Sequence, residues 1–67
     1  MNGWADGIQS AIQYIEDNLT EEIEIEDIAS KAYVSAFYFQ KIFSVLCGLT
    51  VGEYIRNRRL TLAAEEL

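Results

Sequence analysis

Apolar residues recur along the start of the chain at the spacing of one helix face. From about Trp4 to Asn18 they occupy positions i, i+3, i+4, i+7 and i+11, namely Ile8, Ala11, Ile12, Ile15 and Leu19. Asn18 is a residue type that commonly ends a helix. The pattern predicts a first helix over about residues 4–18.

A second and shorter periodicity follows a polar connection. Its apolar positions repeat the 3, 4, 7 spacing, at Ile25, Ile28, Ala29 and Ala32. This spacing predicts a second helix of barely two turns that begins near Glu24.

A third helix is predicted between two residues that are typical of helix ends. Ser35 is a good N-cap, because its hydroxyl can accept a hydrogen bond from a first-turn amide. Gly48 stands where a left-handed C-terminal cap is needed. Between them one apolar stripe is expected to face the core, formed by Phe39, Ile42, Phe43 and Leu46.

A fourth helix opens with a capping box. Thr50 and Glu53 have the T-x-x-E spacing, in which each side chain can bond the backbone amide of the other. Its inward positions are predicted to be Val51, Tyr54, Ile55 and Leu62. The chain is therefore expected to be all-α, with four helices in a single domain over residues 1–67.

Composition argues against catalysis, cofactors and membrane insertion. The 67 residues include no histidine and one cysteine, Cys47, so a histidine general base, a Cys–His catalytic pair and soft metal sites are absent, and the many carboxylates show no sign of a pocket that would separate two pKa values. Neither a Gly-rich phosphate loop nor the spacing of a calcium loop occurs. No apolar run reaches the roughly 18 residues of a membrane span, and no signal peptide is visible. We expect a cytoplasmic protein that is not an enzyme and binds no cofactor or metal.

The charge is unevenly distributed along the chain. The net charge is −6, which by itself argues against nucleic acid as a partner. Residues 1–30, however, carry eight acidic side chains and no basic one, whereas residues 31–59 carry five basic side chains against Glu53 alone. A basic face is therefore compatible with the acidic total, although such charge runs are often only solvated helix surfaces.

Residues 25–46 have the outline of a helix-turn-helix: a short helix, a brief connection and a longer capped helix. In such motifs the second helix lies in the major groove of duplex DNA, with its N-terminal residues at the base edges. We therefore expect a homeodomain-like helix-turn-helix fold with a recognition helix at about residues 36–46.

The face of this third helix opposite its apolar stripe carries side chains that can contact DNA. These are Phe37, Gln40, Lys41 and Ser44, again at i, i+3, i+4 and i+7. Gln can pair with adenine, Lys can reach guanine O6 and N7, and an exposed aromatic ring can pack on a thymine methyl. The sequence thus predicts base contacts at Phe37, Gln40 and Lys41.

Phosphate contacts are expected around this face. Ser44 is one candidate, and Tyr38, between the two faces, either contacts a phosphate or edges the core. Three arginines follow on the fourth helix, and they cannot all point the same way, because residues 56 and 58 lie about 200° apart on a helix. Arg56 is the expected phosphate contact, and Arg59 is expected to make an internal ion pair.

Several of these features together resemble the AraC/XylS family of bacterial transcription regulators, over roughly residues 8–67. The similarity is carried by Ile28-Ala29, Ser35, Phe39, Phe43, Gly48, the run TVGEYI at 50–55, and Arg59, Leu60 and Ala63. It implies base contacts at Phe37, Gln40 and Lys41, with Ser35 and Arg56 near phosphates. The family's turn often holds Gly where this chain has Tyr33, so the turn must either avoid positive φ or accept strain.

The resemblance also implies a larger protein. Family members join two helix-turn-helix units by a long linker helix, and this chain looks like the first unit, an N-terminal fragment of a longer regulator. It is especially similar to members in which a GyrI-like effector-binding domain follows the DNA-binding region. A second helix-turn-helix and an effector domain are therefore expected partners within the full-length protein.

Two alternatives to DNA binding remain at this point. Phe37, Tyr38 and Val45 could form a patch that binds a protein partner while the acidic helices stay solvated. The chain could also form a homodimer through the end of the fourth helix, using Leu60, Leu62, Ala64 and Leu67.

Overall fold

Within the residues that the structure describes, four α-helices form the fold, in the order that the apolar spacing predicts. The computed structural model describes residues 3–65, without the side chain of Trp4. The helices are α1 (Trp4–Asp17), α2 (Ile25–Ser30), α3 (Ala36–Cys47) and α4 (Val51–Glu65). The prediction of an all-α chain with four helices is confirmed.

Side-chain caps define several of the helix ends. The Asn18 side chain donates from Nδ2 to the Tyr14 carbonyl oxygen at 2.8 Å, satisfying a carbonyl that the end of α1 leaves without a partner. The predicted capping box also forms: the Thr50 amide donates to Glu53 Oε1 at 2.8 Å, and the Glu53 amide donates to Thr50 Oγ1 at 3.0 Å. These bonds fix where α1 ends and α4 begins.

The core lies where α1, α2, α3 and the start of α4 meet. Its buried residues come from every helix: Ile8, Ala11, Ile15, Leu19, Ile28, Ala29, Phe39, Phe43 and Val51. Helix α1 approaches the turn after α2 closely at Gly7, where an added Cβ would lie 3.2 Å from the Ala32 Cα and carbonyl oxygen. A glycine at this point therefore allows the two backbones to pack together.

One core prediction, for Leu46 in α3, needs correction, whereas the inward positions predicted for α4 are confirmed. Leu46 was expected in the apolar stripe of α3, but it is 50% exposed. The stripe continues into the last turn of α3, one turn beyond the buried Phe43, where the other helices no longer cover it. Leu62, expected also as part of a dimer face, packs against the core, whereas Leu60 is 63% exposed and Ala64 is exposed. Leu67 lies outside the described residues.

The connection between α2 and α3 is a Schellman motif with a tyrosine at its left-handed position. The Tyr33 amide donates to the Ser30 carbonyl at 3.1 Å, and the Val34 amide donates to the Ala29 carbonyl at 3.3 Å. Tyr33 has φ 60°, in the region that favours glycine, and its side chain is 93% exposed. Of the two possibilities that the sequence left open, the turn adopts positive φ.

We expect Tyr33→Gly to raise the free energy of unfolding by about 0.5–1 kcal/mol. A left-handed non-glycine residue costs about 1–2 kcal/mol, and the greater freedom of glycine in the unfolded chain offsets about 0.5–1 kcal/mol of that gain. Urea denaturation followed by circular dichroism measures the change. Tyr33→Ala is the matched control, because it removes the same exposed ring and keeps the positive-φ cost. Equal stabilisation by both variants would show that the backbone conformation is not the cause.

Candidate nucleic-acid interface

One face of α3 is turned away from the core, and the predicted base-contacting residues lie on it. Phe37, Gln40, Lys41 and Ser44 line a single shallow surface depression, which we term the α3 outer face. Phe39 and Phe43, on the opposite side of the helix, are completely buried. Burial of these two rings sets the rotation of α3 and leaves the outer face exposed.

An aromatic ring and a cation lie together on the α3 outer face. Phe37 is 75% exposed, an unusual position for a large apolar side chain. The Lys41 ammonium lies 5.9 Å from the centroid of the Phe37 ring, within the range of a cation–π contact. Lys41 makes no ion pair within residues 3–65, so its charge is available to an anionic partner.

The N-terminus of α3 is built as the sequence predicts. Ser35 adopts an extended backbone, and its Oγ accepts a hydrogen bond from the Tyr38 amide at 3.1 Å. The Ser35 hydroxyl proton remains available for an external acceptor, since this bond uses only a lone pair of the oxygen. Gly48 closes the other end of α3 with φ 76°, as expected for a left-handed cap.

Tyr38 lies on the flank of α3 rather than on the outer face. Its side chain is 51% exposed and lines a separate, largely apolar depression with Ile42, Val45 and Leu46. Lys41 lines both depressions and marks the border between them. Tyr38 is therefore accessible, but the structure groups it with Val45 and not with Phe37.

The α3 outer face adjoins the start of α4. Gln40 lines a depression together with Val51, Gly52 and Ile55. Gly52 and Ile55 also line the neighbouring depression that contains Arg56. The exposed guanidinium-bearing side chain of Arg56 thus belongs to a surface that continues from the α3 outer face.

A carboxylate on α1 holds α4 in place. Glu16 accepts hydrogen bonds from the Tyr54 hydroxyl at 2.6 Å, from Arg58 Nε at 2.9 Å and from Arg58 Nη2 at 3.0 Å. Tyr54 and Arg58 are one turn apart on α4, and Arg56 lies about 200° around the helix from either of them. Because Tyr54 and Arg58 face α1, Arg56 faces away from it.

The prediction that Arg59 makes an internal ion pair is wrong. Arg59 instead donates to two backbone carbonyls, from Nε to Leu19 at 2.8 Å and from Nη2 to Glu21 at 2.7 Å. These carbonyls follow the end of α1, where the backbone lacks helical partners, and an arginine fork supplies donors for them. The internal ion pair is made by Arg58 with Glu16.

The network around Glu16 shifts two pKa values in opposite directions. Hydrogen bonds from Arg58, and then from Tyr54, lower the pKa of Glu16 below its ordinary value of 4.5. Burial first, and then the hydrogen bond to the Glu16 carboxylate, raise the pKa of Tyr54 from 10.0 to about 12. Both shifts favour the state in which the carboxylate is charged and the phenol is protonated.

Sequence reasoning predicted an internal ion pair from an arginine of the fourth helix, but it missed the members of this α1–α4 network because nothing local in the sequence identifies them. Its partners are 38 and 42 residues apart, and the Arg59 contacts span 40 and 38 residues. Helical spacing predicts which residues share a face of one helix, but it does not pair faces of different helices. The available signals were the inward-facing position predicted for Tyr54 and the internal ion pair predicted for an arginine of the fourth helix.

Within the described part of the chain, no helix has both the length and the apolar character needed to cross a bilayer. Among the same residues, no group of three or more potential His, Cys, Asp or Glu ligands is placed to hold a metal ion.

The short α2, the tight turn and the longer α3 with an exposed outer face define a helix-turn-helix protein. A family model described as bacterial regulatory helix-turn-helix proteins of the AraC family matches residues 15–56. This match covers more than half of the chain, and the chain therefore belongs to the AraC family. It is a DNA-binding module of an AraC-type transcriptional regulator.

Relatives of this chain support the family assignment. The chain is 43% identical over 60 residues to the transposon Tn10 TetD protein of Escherichia coli, with 90% of this chain and 44% of TetD covered. It is 42% identical over 60 residues to the regulatory protein SoxS of Salmonella typhimurium, covering 90% and 56% of the two chains. It is 38% identical over 60 residues to the transcriptional activator AarP of Providencia stuartii, covering 90% and 44%.

The chain spans about half the length of the curated relatives it matches. No solved structure gave a significant match.

The Glu16 network predicts how stability depends on pH. Because the pKa of Glu16 is lowered in the folded state, its contribution is present above pH 4.5 and is lost as pH falls through the lowered value. Because the pKa of Tyr54 is raised, its contribution is present below pH 10.0 and is lost as pH rises towards about 12. We expect Glu16→Gln to lower the free energy of unfolding at pH 7 by about 1 kcal/mol. The variant should also show a smaller loss of stability than the wild-type chain at both acid and alkaline pH.

Urea denaturation from pH 3 to 11 provides the test. Glu22→Gln is the matched control, since Glu22 is an exposed residue of the loop between α1 and α2. If the free energy of unfolding falls by the same amount at acid and at alkaline pH in Glu16→Gln and in the wild-type chain, the assigned network is contradicted.

Proposed function

We propose that the chain binds duplex DNA sequence-specifically, with α3 in the major groove. The base contacts are made by Phe37, Gln40 and Lys41, at positions that the resemblance to AraC/XylS regulators also implies. The observation that carries the proposal is the exposed α3 outer face, where an aromatic ring, an amide and an ammonium group lie together in one depression.

The chemistry of these three side chains suits the edges of different bases. The Gln40 amide can donate to and accept from adenine, and the Lys41 ammonium can donate to guanine O6 and N7. The Phe37 ring can pack on a thymine methyl group. All three are exposed, so no rearrangement of the core is needed before they contact DNA.

Phosphate contacts flank the base-contacting residues. We assign them to Ser35 and Tyr38 at the start of α3, to Ser44 one turn beyond Lys41, and to Arg56 on α4. Support for Ser35 comes from its hydroxyl proton, which the cap leaves free, and support for Arg56 comes from its exposure beside Gly52 and Ile55. Phosphate contacts on both sides of the base-contacting residues would fix the register of α3 in the groove.

The affinity of the single module is expected to be low. Few phosphate contacts are available, and the net charge of −6 opposes binding to a polyanion. We expect a dissociation constant on the order of 10⁻⁴ M with a strong salt dependence. We infer that within a regulator a second helix-turn-helix unit and an effector domain complement this module, which acts in the cytoplasm and catalyses no reaction.

A second candidate function is a protein-binding surface. Tyr38, Val45 and Leu46 are at least half exposed and line one largely apolar depression. Because Phe37 lies in a different depression, a partner patch would use Tyr38 and Val45 without it. A homodimer through α4 would instead use the exposed Leu60, and sedimentation across a range of concentrations would detect it.

A chemical-shift titration tests the proposed interface directly. The labelled chain is titrated with a short mixed-sequence duplex at about 20 mM salt, where electrostatic binding is strongest. We expect amide shifts concentrated in residues 35–44 and at Arg56, reversed by added salt. No shifts at millimolar DNA would exclude DNA binding by this chain alone and would favour the protein-binding surface.

Substitutions of Lys41 and Arg56 should have different consequences. We expect Lys41→Ala to weaken binding by about 1–3 kcal/mol at the preferred sequence and to reduce discrimination between sequences. Arg56→Ala should weaken binding equally for all sequences. It should also reduce, by about 1, the slope of the logarithm of the binding constant against the logarithm of the salt concentration. Fluorescence anisotropy with labelled duplexes at several salt concentrations measures both effects.

Lys31→Ala is the matched control for both variants. Lys31 is exposed but lies 4.8 Å from the Tyr14 ring centroid, between α1 and the end of α2, outside the α3 outer face. The same loss of affinity in all three variants would show that only overall charge matters, and that the α3 outer face has no special role.

A further inference from the structure

The Lys41 side chain has neighbours on two sides of α3. It lines the apolar depression that Tyr38 and Val45 also line. Its ammonium group lies 5.9 Å from the centroid of the Phe37 ring, one helical turn towards the N-terminus. A long lysine side chain on an exposed helix would otherwise sample many rotamers.

The direction of this contact matters for DNA recognition. Side chains on a helix lean towards its N-terminus, so a residue at i+4 reaches back over residue i. The N-terminal residues of a recognition helix lie closest to the base edges. The Phe37 ring therefore holds the Lys41 charge at the end of α3 where bases are contacted.

We propose that Phe37 and Lys41 act as one recognition unit, in which Phe37 packs on a thymine methyl and positions the Lys41 ammonium on a nearby guanine. The inference rests on the proposed placement of α3 in the major groove. It makes Phe37 a positioning residue for Lys41 as well as a base contact. The target class is duplex DNA with a thymine and a guanine close together.

The distance between the two groups limits the spacing of the two bases. Successive base pairs are separated by about 3.4 Å along the duplex axis. A cation 5.9 Å from the ring centroid matches bases that are one or two steps apart. Gln40 also lies on the α3 outer face but beside α4, and it is not part of the unit.

A selection experiment with the intact chain tests the coupling. The probe is a pool of duplexes with a randomised central segment, and the proteins are the wild type, Phe37→Leu, Lys41→Met and the double variant. Leu keeps an apolar contact for the thymine methyl but has no aromatic face for the cation. Lys31→Met is the matched control, because it removes a lysine charge that lies outside the α3 outer face and leaves the unit intact.

We expect the wild-type chain to enrich sequences with thymine and guanine one or two steps apart, with about tenfold preference for guanine. Phe37→Leu should keep the thymine preference and lose most of the guanine preference, although Lys41 is still present. Lys41→Met should lose the guanine preference and keep the thymine preference, and the double variant should lose no more guanine preference than Lys41→Met. Lys31→Met should keep both preferences.

The contact between Phe37 and Lys41 can be measured in the absence of DNA by proton chemical shifts. In the free wild-type chain, the ring current of Phe37 should shift the Lys41 ε-methylene protons upfield, and Phe37→Leu should remove that shift. A wild-type guanine preference in Phe37→Leu, or the absence of the ring-current shift, would overturn the inference alone. A pool from which the wild-type chain enriches no sequence would overturn the proposed function and the inference with it.

Discussion

Burial of two phenylalanine rings on α3 is the constraint on which the rest of the structure depends. Phe39 and Phe43 are fully buried, with ring centroids 5.8 Å apart. Phe43 also meets Tyr54 of α4 edge-on at 5.5 Å. Rotating α3 would expose both rings, at a cost of about 1.5–3 kcal/mol each, which is large for a domain of this size. The rings therefore fix which side of α3 is exposed, and the α3 outer face is that side.

The acidic half of the chain has a structural role that the net charge does not reveal. Glu16 orients α4 through Tyr54 and Arg58, while the carbonyls that follow α1 bind Arg59. Two of the three arginines are thus committed to the fold, and Arg56 remains exposed. The net charge of −6 is compatible with a DNA-binding module because attraction depends on the charges near the contact surface.

Local patterns in the sequence predicted most of the fold. Helical periodicity identified all four helices, and the caps at Ser35, Gly48 and Thr50 have the expected hydrogen bonds or dihedral angles. Each of these features depends on residues within one or two turns, which is the range over which spacing and capping act.

Features that depend on packing between helices were not predictable in the same way. Leu46 continues the apolar stripe of α3, but the stripe extends past the helices that cover it. Arg58 and Arg59 are adjacent in sequence and similar in chemistry, so only the placement of α1 decides which of them meets a carboxylate. The grouping of Phe37, Gln40, Lys41 and Ser44 was predictable because it lies on one helix. The continuity of that face with Arg56 required the position of α4.

The central claim is that the α3 outer face contacts base edges in the major groove. Intermolecular nuclear Overhauser effects between the labelled chain and a short duplex test this claim most directly. The account predicts effects from Phe37, Gln40 and Lys41 side-chain protons to thymine methyl and cytosine H5 protons, which lie in the major groove. Effects from Val45 and Leu46 instead, or effects to minor-groove protons such as adenine H2, would contradict it.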